Sequence, residues 1–167
     1  MAFPMHSLSK SFNLVYGHRL WNQTEPPCLC RNLHGHNAKI TFHFAQTVLQ
    51  NGMILDFNTL KQFKTQVLDF FDHQFFIDEA DPLLQNWMEH YALHAQDVFE
   101  VGFGVKKIRE SSHPIEKEFF SSFLIVPFHP TCEKLSQYFF ELINQHGFRC
   151  IQCDVQETDS GGASYHE

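Results

Sequence analysis

Residues 34 to 44 read HGHNAKITFHF, and the parity of this run decides the fold. Its even positions carry His34, His36, Ala38, Ile40, Phe42 and Phe44, while Lys39, Thr41 and His43 alternate with them. Side chains two apart on a strand share a face, so this is a half-buried strand whose two histidines point with the core residues. Upstream, SFNLVYGH at 11 to 18 places Phe12, Leu14, Tyr16 and His18 on one parity. That is a second strand, ending in a histidine on its apolar side. Between the two, WNQTEPPCLCRN at 21 to 32 is rich in turn formers and reads as loop.

Downstream, NGM at 51 to 53 supplies a turn, and Asp56 is an N-cap ahead of Phe57, Leu60, Phe63, Val67 and Phe71, which recur at helical spacing up to Asp72 and His73. Another helix opens at Pro130 and Thr131, carries Leu135, Tyr138, Phe139, Leu142 and Ile143, and stops at Gly147. The stretch CIQCDVQET at 150 to 158 puts Ile151, Cys153, Val155 and Glu157 on one strand face. A carboxylate on an apolar parity needs a partner, because an unpaired buried charge is costly. Between these elements, DPLLQNWMEHYALHAQDVFE at 81 to 100 predicts a helix capped by Asp81, with Pro82 in its first turn and Leu84, Trp87, Met88 and Tyr91 on one side. Gly102 and Gly104 break it, and FFSSFLIVPF at 119 to 128 predicts a strand.

The chain has 167 residues, enough for one domain with a real core, and its 19 phenylalanines predict that the core is aromatic. A formal charge of -7 argues against a nucleic-acid surface, so a phosphorylated ligand would have to meet a local basic pocket. No stretch of about 18 apolar residues suggests a membrane span, and the first residues, MAFPMHSLSKSF, lack a signal-peptide pattern; a soluble cytoplasmic protein is expected. Five cysteines resemble no disulfide framework, which leaves metal binding or catalysis for any cysteine near histidines. His90, His94, His113 and His146 lie among polar residues and read as surface or loop.

His34 and His36 can grip one ion, and His18 from a neighbouring strand can complete a facial trio. Three imidazoles leave zinc a fourth position open, as catalytic zinc sites do, whereas structural sites fill four positions, often with thiolates. The plain alternative is a pair of edge-strand histidines; the co-phased His18 favours the metal.

Six blocks now stand in order: HRL at 18 to 20, C-x-x-x-HGHN at 30 to 37, GMILDF at 52 to 57, FDHQFF at 71 to 76, HPTCEKL at 129 to 135 and QET at 156 to 158. Together they resemble the pterin synthase family, whose branches include 6-carboxytetrahydropterin synthase of queuosine biosynthesis and 6-pyruvoyl tetrahydropterin synthase of tetrahydrobiopterin biosynthesis. The resemblance covers most of the chain except about residues 79–122. It implies an α+β tunnelling fold: a four-stranded antiparallel sheet with two helices on one face, in a homo-oligomeric barrel with active sites between subunits. Residues 1–167 would form one such domain, carrying a helical insertion around 79–118.

The resemblance also implies a pterin triphosphate substrate, 7,8-dihydroneopterin triphosphate, and one Zn2+ per subunit on His18, His34 and His36. It gives a cysteine the role of base, Asp72 and His73 that of a proton-handling pair, and Glu157 that of pterin anchor, with Thr131 and Glu133 beside it. Cys30 fits the spacing of the 6-carboxy branch, which releases acetaldehyde and triphosphate; Cys28 fits the longer spacing of the 6-pyruvoyl branch. RNLHGHN after Cys30 favours the 6-carboxy type. A third pattern, with glutamate five residues before the first zinc histidine, is absent, since Leu29 stands there. A zinc and pterin binding module without turnover is the alternative of another class. Arg31, Lys39, Arg19 and Lys10 are candidates for the triphosphate by nearness in sequence, and Cys132, Cys150 and Cys153 read as small core residues.

Overall fold

In a computed structural model, which describes residues 5–23, 28–109 and 114–167, the strand that carries the paired histidines runs from His34 to Gln46 and the strand before it from His6 to His18. In chain order the elements are β1 (His6–His18), β2 (His34–Gln46), α1 (Phe57–Gln66), β3 (Gln74–Asp78), α2 (Pro82–His90), β4 (Val98–Gly102), β5 (Val105–Ile108), α3 (Pro114–Ser121), β6 (Phe123–Val126), α4 (Cys132–Gln145), β7 (Cys150–Gln156) and β8 (Gly162–His166). They form two units. The first comprises Met1–Val15, His36–Asp72 and Cys132–Glu167, and the second Tyr16–Gly35 and His73–Thr131.

In the first unit the strand order is β1-β2-β7-β8, with β7 antiparallel to both its neighbours. The expected parity of β2 holds, since Ala38, Ile40, Phe42 and Phe44 are all buried. Phe42 packs on Phe63 of α1, which is buried with Leu60, and α4, which packs against β7 and β8, buries Leu135, Phe139, Leu142 and Ile143. Rings meet edge to face, as their quadrupoles favour: Phe42 with Phe63 at 5.8 Å and Phe71 with Phe139 at 5.6 Å. Asp56 caps α1 as expected, accepting from the Asn58 amide at 2.8 Å. On β7 the expected parity fails at its start. The register slips between His43 and Phe44, so Phe42 faces Cys153 but Phe44 faces Cys150; Ile151 is the extra residue of the bulge and is 41% exposed.

In the second unit the order is β4-β5-β6-β3-β1. The end of β1 pairs in parallel with β3, Tyr16 facing Gln74 and His18 facing Phe76, and β3 pairs in parallel with β6. Asp81 caps α2 and Pro82 opens it, but the helix expected as far as residue 100 stops at His90. Val98 to Gly102 instead folds back on β5 as a hairpin, whose turn places Gly102, Phe103 and Gly104 at positive φ. The strand expected over 119–128 shrinks to β6. Phe119 and Phe120 belong to α3, where helical spacing brings them to Trp87, at 5.1 and 6.3 Å. Ile77, Leu84, Ile108, Phe120, Phe123 and Ile125 make the buried cluster. Among the described residues there are thus eight strands where the resemblance implied four, β3 to β6 being the additional ones. His113 and residues 24–27 of the expected loop lie outside the described residues.

Candidate active site

Two glycines let β1 and β2 meet closely at their histidine ends. A Cβ on Gly17 would fall 2.3 Å from the Phe75 ring and 3.1 Å from the His34 carbonyl oxygen, and one on Gly35 would fall 3.2 Å from the Tyr16 carbonyl oxygen. His18, 2% exposed, is seated there with its Nδ1 2.7 Å from the Pro130 carbonyl oxygen. His34 turns its Nδ1 to the Asn32 carbonyl oxygen at 2.9 Å. A carbonyl only accepts, so both Nδ1 atoms carry the proton and donate. The two Nε2 atoms then face each other at 3.0 Å. Lone pairs aimed at each other at that distance repel unless a positive charge lies between them, as a bound metal ion would supply. Two nitrogens on a tetrahedral zinc, each at about 2.0–2.1 Å, stand about 3.3 Å apart. His36 follows two residues along β2, and the ligand atoms of His18, His34 and His36 all lie within 4.8 Å of one another. The donor set and its spacing fit a three-histidine zinc site.

Cys30 sits in a 3-10 turn, Leu29–Arg31, and its carbonyl oxygen accepts from the Leu20 amide at 2.7 Å, which ties the turn to the chain just past His18. Cys28 precedes this turn, and with Arg19, Leu29, Arg31 and Asn32 it lines a cavity of about 390 Å³. Asp72 is half-buried and its Oδ1 accepts from the Val15 amide at 2.9 Å. The next residue, His73, has φ of 60°, a left-handed backbone uncommon for a residue with a Cβ, although histidine enters it more readily than most. Such backbones concentrate at functional sites.

A second group forms around Cys132 at the start of α4. Its thiol donates to the Val155 carbonyl oxygen at 3.0 Å. Burial pushes the thiol up to about 12, and the carboxylates of Glu157 and Glu133 push the same way, against a hydrogen bond with Ala163. Cys132 is therefore protonated at neutral pH and unsuited to be the base, and Glu133 and Glu157 both stand near enough to act on it. Burial raises the thiols of Cys150 and Cys153 as well, in keeping with a place in the core. Glu157 is half-buried just beyond β7, its amide donating to the Gly161 carbonyl oxygen at 3.1 Å. Thr131 immediately precedes α4, and its amide donates to the His129 carbonyl oxygen at 2.8 Å.

Of the four candidate cations, Arg19 is engaged with buried Asp81, Nε to Oδ2 at 2.8 Å. Lys10 lies over the Phe12 and Phe57 rings, 5.7 and 5.5 Å from their centroids. Arg31 and Lys39 are exposed. Sequence reasoning passed over Asp78, Trp21 and His129, which form a polar knot: the Trp21 indole N–H donates to Asp78 Oδ2 at 3.0 Å, and His129 Nδ1 stands 3.3 Å from the same oxygen. The available signal was a carboxylate closing the apolar run QFFID.

A family model described as 6-pyruvoyl tetrahydropterin synthase matches residues 7–167. The 6-carboxy-5,6,7,8-tetrahydropterin synthase of Aquifex aeolicus (strain VF5) is 27% identical over 181 residues, covering 96% of this chain and 97% of that protein. Among solved structures, an uncharacterized protein of Wolinella succinogenes is 30% identical, with a TM-score of 0.85 and 98% of each chain covered. The 6-pyruvoyl tetrahydropterin synthase of Caenorhabditis elegans shares the fold at 18% identity, with a TM-score of 0.59 over 100% of this chain and 99% of that one.

Proposed function

The chain belongs to the 6-pyruvoyl tetrahydropterin synthase family, and from that premise we propose that it is a zinc-dependent lyase of the 6-carboxy type. It would convert 7,8-dihydroneopterin triphosphate and water to 6-carboxytetrahydropterin, acetaldehyde and triphosphate, a step of queuosine biosynthesis in the cytoplasm. The observation that carries the reading is the pair of Nε2 atoms of His18 and His34 facing each other at 3.0 Å with His36 beside them, a donor set that could hold a cation. The product assignment is supported by the relative named 6-carboxy-5,6,7,8-tetrahydropterin synthase, similar along its whole length, and by the three residues between Cys30 and His34.

His18, His34 and His36 would hold the ion. Zinc so held supplies a Lewis acid for the hydroxyls of the substrate's side chain, easing loss of a proton from the neighbouring carbon. Cys30 would accept that proton as thiolate, and His73, oriented by Asp72, would pass protons to and from it. Glu157 would accept the 2-amino and N3 hydrogens of the pterin in parallel, with Thr131 and Glu133 at the same pocket. The four strands β1, β2, β7 and β8 with α1 and α4 would be the tunnelling core, residues 1–167 one domain with an excursion over about 79–122, and the working form a homo-oligomeric barrel with active sites at subunit interfaces.

The 6-pyruvoyl reading keeps one specific support, Cys28, which has the longer spacing and lines the cavity with Arg19 and Arg31. Mass spectrometry of products from dihydroneopterin triphosphate, run on protein whose zinc content and oligomer size have been measured, separates the readings. A 6-carboxy product with acetaldehyde supports the proposal. A 6-pyruvoyl product moves the chain to the other branch, and pterin binding without product would make it a binding module.

A further inference from the structure

A metal-ligating imidazole works only if its other nitrogen is held, because that second hydrogen bond fixes the tautomer and aims the ring. For His18 the holder is the Pro130 carbonyl oxygen, 2.7 Å from Nδ1. A backbone carbonyl turns with its peptide, so whatever seats residues 129–131 also aims His18. Two of their contacts bear on this. The Thr131 amide closes back on the His129 carbonyl oxygen at 2.8 Å, and the His129 ring is moored to Asp78, Nδ1 to Oδ2 at 3.3 Å. Asp78 is itself fixed from two further sides. Trp21 donates to Oδ2 at 3.0 Å, and the Ala80 amide donates to Oδ1 at 2.9 Å. The Trp21 ring stands edge-on to the His129 ring, centroids 6.2 Å apart.

This mooring is expensive as stability alone. Asp78 is only 7% exposed and ends an apolar strand, where an aliphatic residue would carry no desolvation cost. His129 Nε2 is buried and has no hydrogen-bond partner among the described residues, so there the ring contributes one polar contact while leaving another unmet. Such an arrangement is understandable where position matters more than stability.

We propose that Asp78 and His129 are positioning residues of the metal centre: their contact seats residues 129–131 so that the Pro130 carbonyl holds His18 Nδ1–H and turns Nε2 to the ion. This rests on the reading of His18, His34 and His36 as zinc ligands. The test is the zinc dissociation constant, measured by competition with a chromophoric chelator, beside the thermal midpoint of the metal-free protein and the visible spectrum of the cobalt-loaded form. Asp78→Ala and His129→Leu should each weaken zinc about 10–100-fold and alter the cobalt spectrum. Asp78→Asn, which keeps an acceptor oxygen for Trp21 and His129, and His129→Asn, which keeps a donor for Asp78, should recover part of the loss. If Asp78→Ala fails to fold, His129→Leu and the two asparagine variants carry the comparison. Variants that lower the thermal midpoint but hold zinc within about twofold of the parent would overturn the positioning role while leaving the metal site intact. A parent protein that binds no zinc would overturn the metal reading and this proposal with it.

Discussion

At the scale of single residues, the two thiols ahead of the histidines divide by their attachments. Cys30 is tied through its carbonyl to Leu20, two residues past His18, whereas Cys28 lies at the turn's entrance beside two arginines. Cys30→Ala should therefore lower turnover at least about 100-fold, the lower end of what a general base supplies, while pterin binding persists. Cys28→Ala should stay within a few-fold of the parent in the same steady-state assay, and the reverse pattern would transfer the role. Asp154 gives a pH prediction. Burial pushes its carboxyl up, but hydrogen bonds from Gln152, Ser164 and His43 together with the charge of His43 outweigh that and hold it below its ordinary value. A carboxyl lowered in the folded state adds stability above its unfolded pKa of about 3.9, and loses it as pH falls through the folded value. Asp154→Ala should be less stable than the parent at pH 7, and the difference should shrink below about pH 4 in urea titrations.

At the scale of elements, the close approach of β1 to its neighbours depends on a missing side chain. Gly17→Ala would drive a methyl into the Phe75 ring, so the strands must part or the ring must move. The expected cost is about 1–3 kcal/mol by chemical denaturation, with weaker zinc binding because His18 is adjacent. The elements that the sequence announced plainly are those with one clear period: β2 by its alternation from His34 to Phe44, α1 by the Asp56 cap, α4 by Leu135, Phe139 and Leu142. β3 escaped because QFFID is too short to show alternation and is buried from Phe76 to Asp78. The β4–β5 hairpin escaped because Val98 to Glu100 fall at the tail of a helical pattern and Val105 to Ile108 are too few to show a period. The candidate site follows the same division. The three histidines share strand parity and could be read together, whereas the link from His18 through Pro130 and His129 to Asp78 joins residues distant in sequence, with no period to betray it.

At the scale of the whole molecule, the excursion over 79–122 turns out to be more than an appendage. Leu84 and Ile108 are buried with Ile77, Phe123 and Ile125, so β3 and β6 rely on the excursion for cover. Removing residues 80–118 should yield protein that is insoluble or lacks a cooperative thermal transition, while Ile115→Ser, at a position 73% exposed, should leave the transition within about 0.5 kcal/mol of the parent. A soluble deletion protein with an unchanged midpoint by circular dichroism would show the excursion to be dispensable. The parallel pairing of β1 with β3 also has a kinetic side. Parallel partners cannot be joined by a tight turn, and here β2 and α1 both intervene in the chain. On the ribosome, the segment bearing all three histidines emerges well before the strand beside His18 and the proline carbonyl that fixes its ring. The entropy of closing that long loop must be met before the contact rewards it. The candidate metal pocket is thus among the late parts of the molecule to mature, and a nascent chain carries the three histidines for some time without the frame that aims His18.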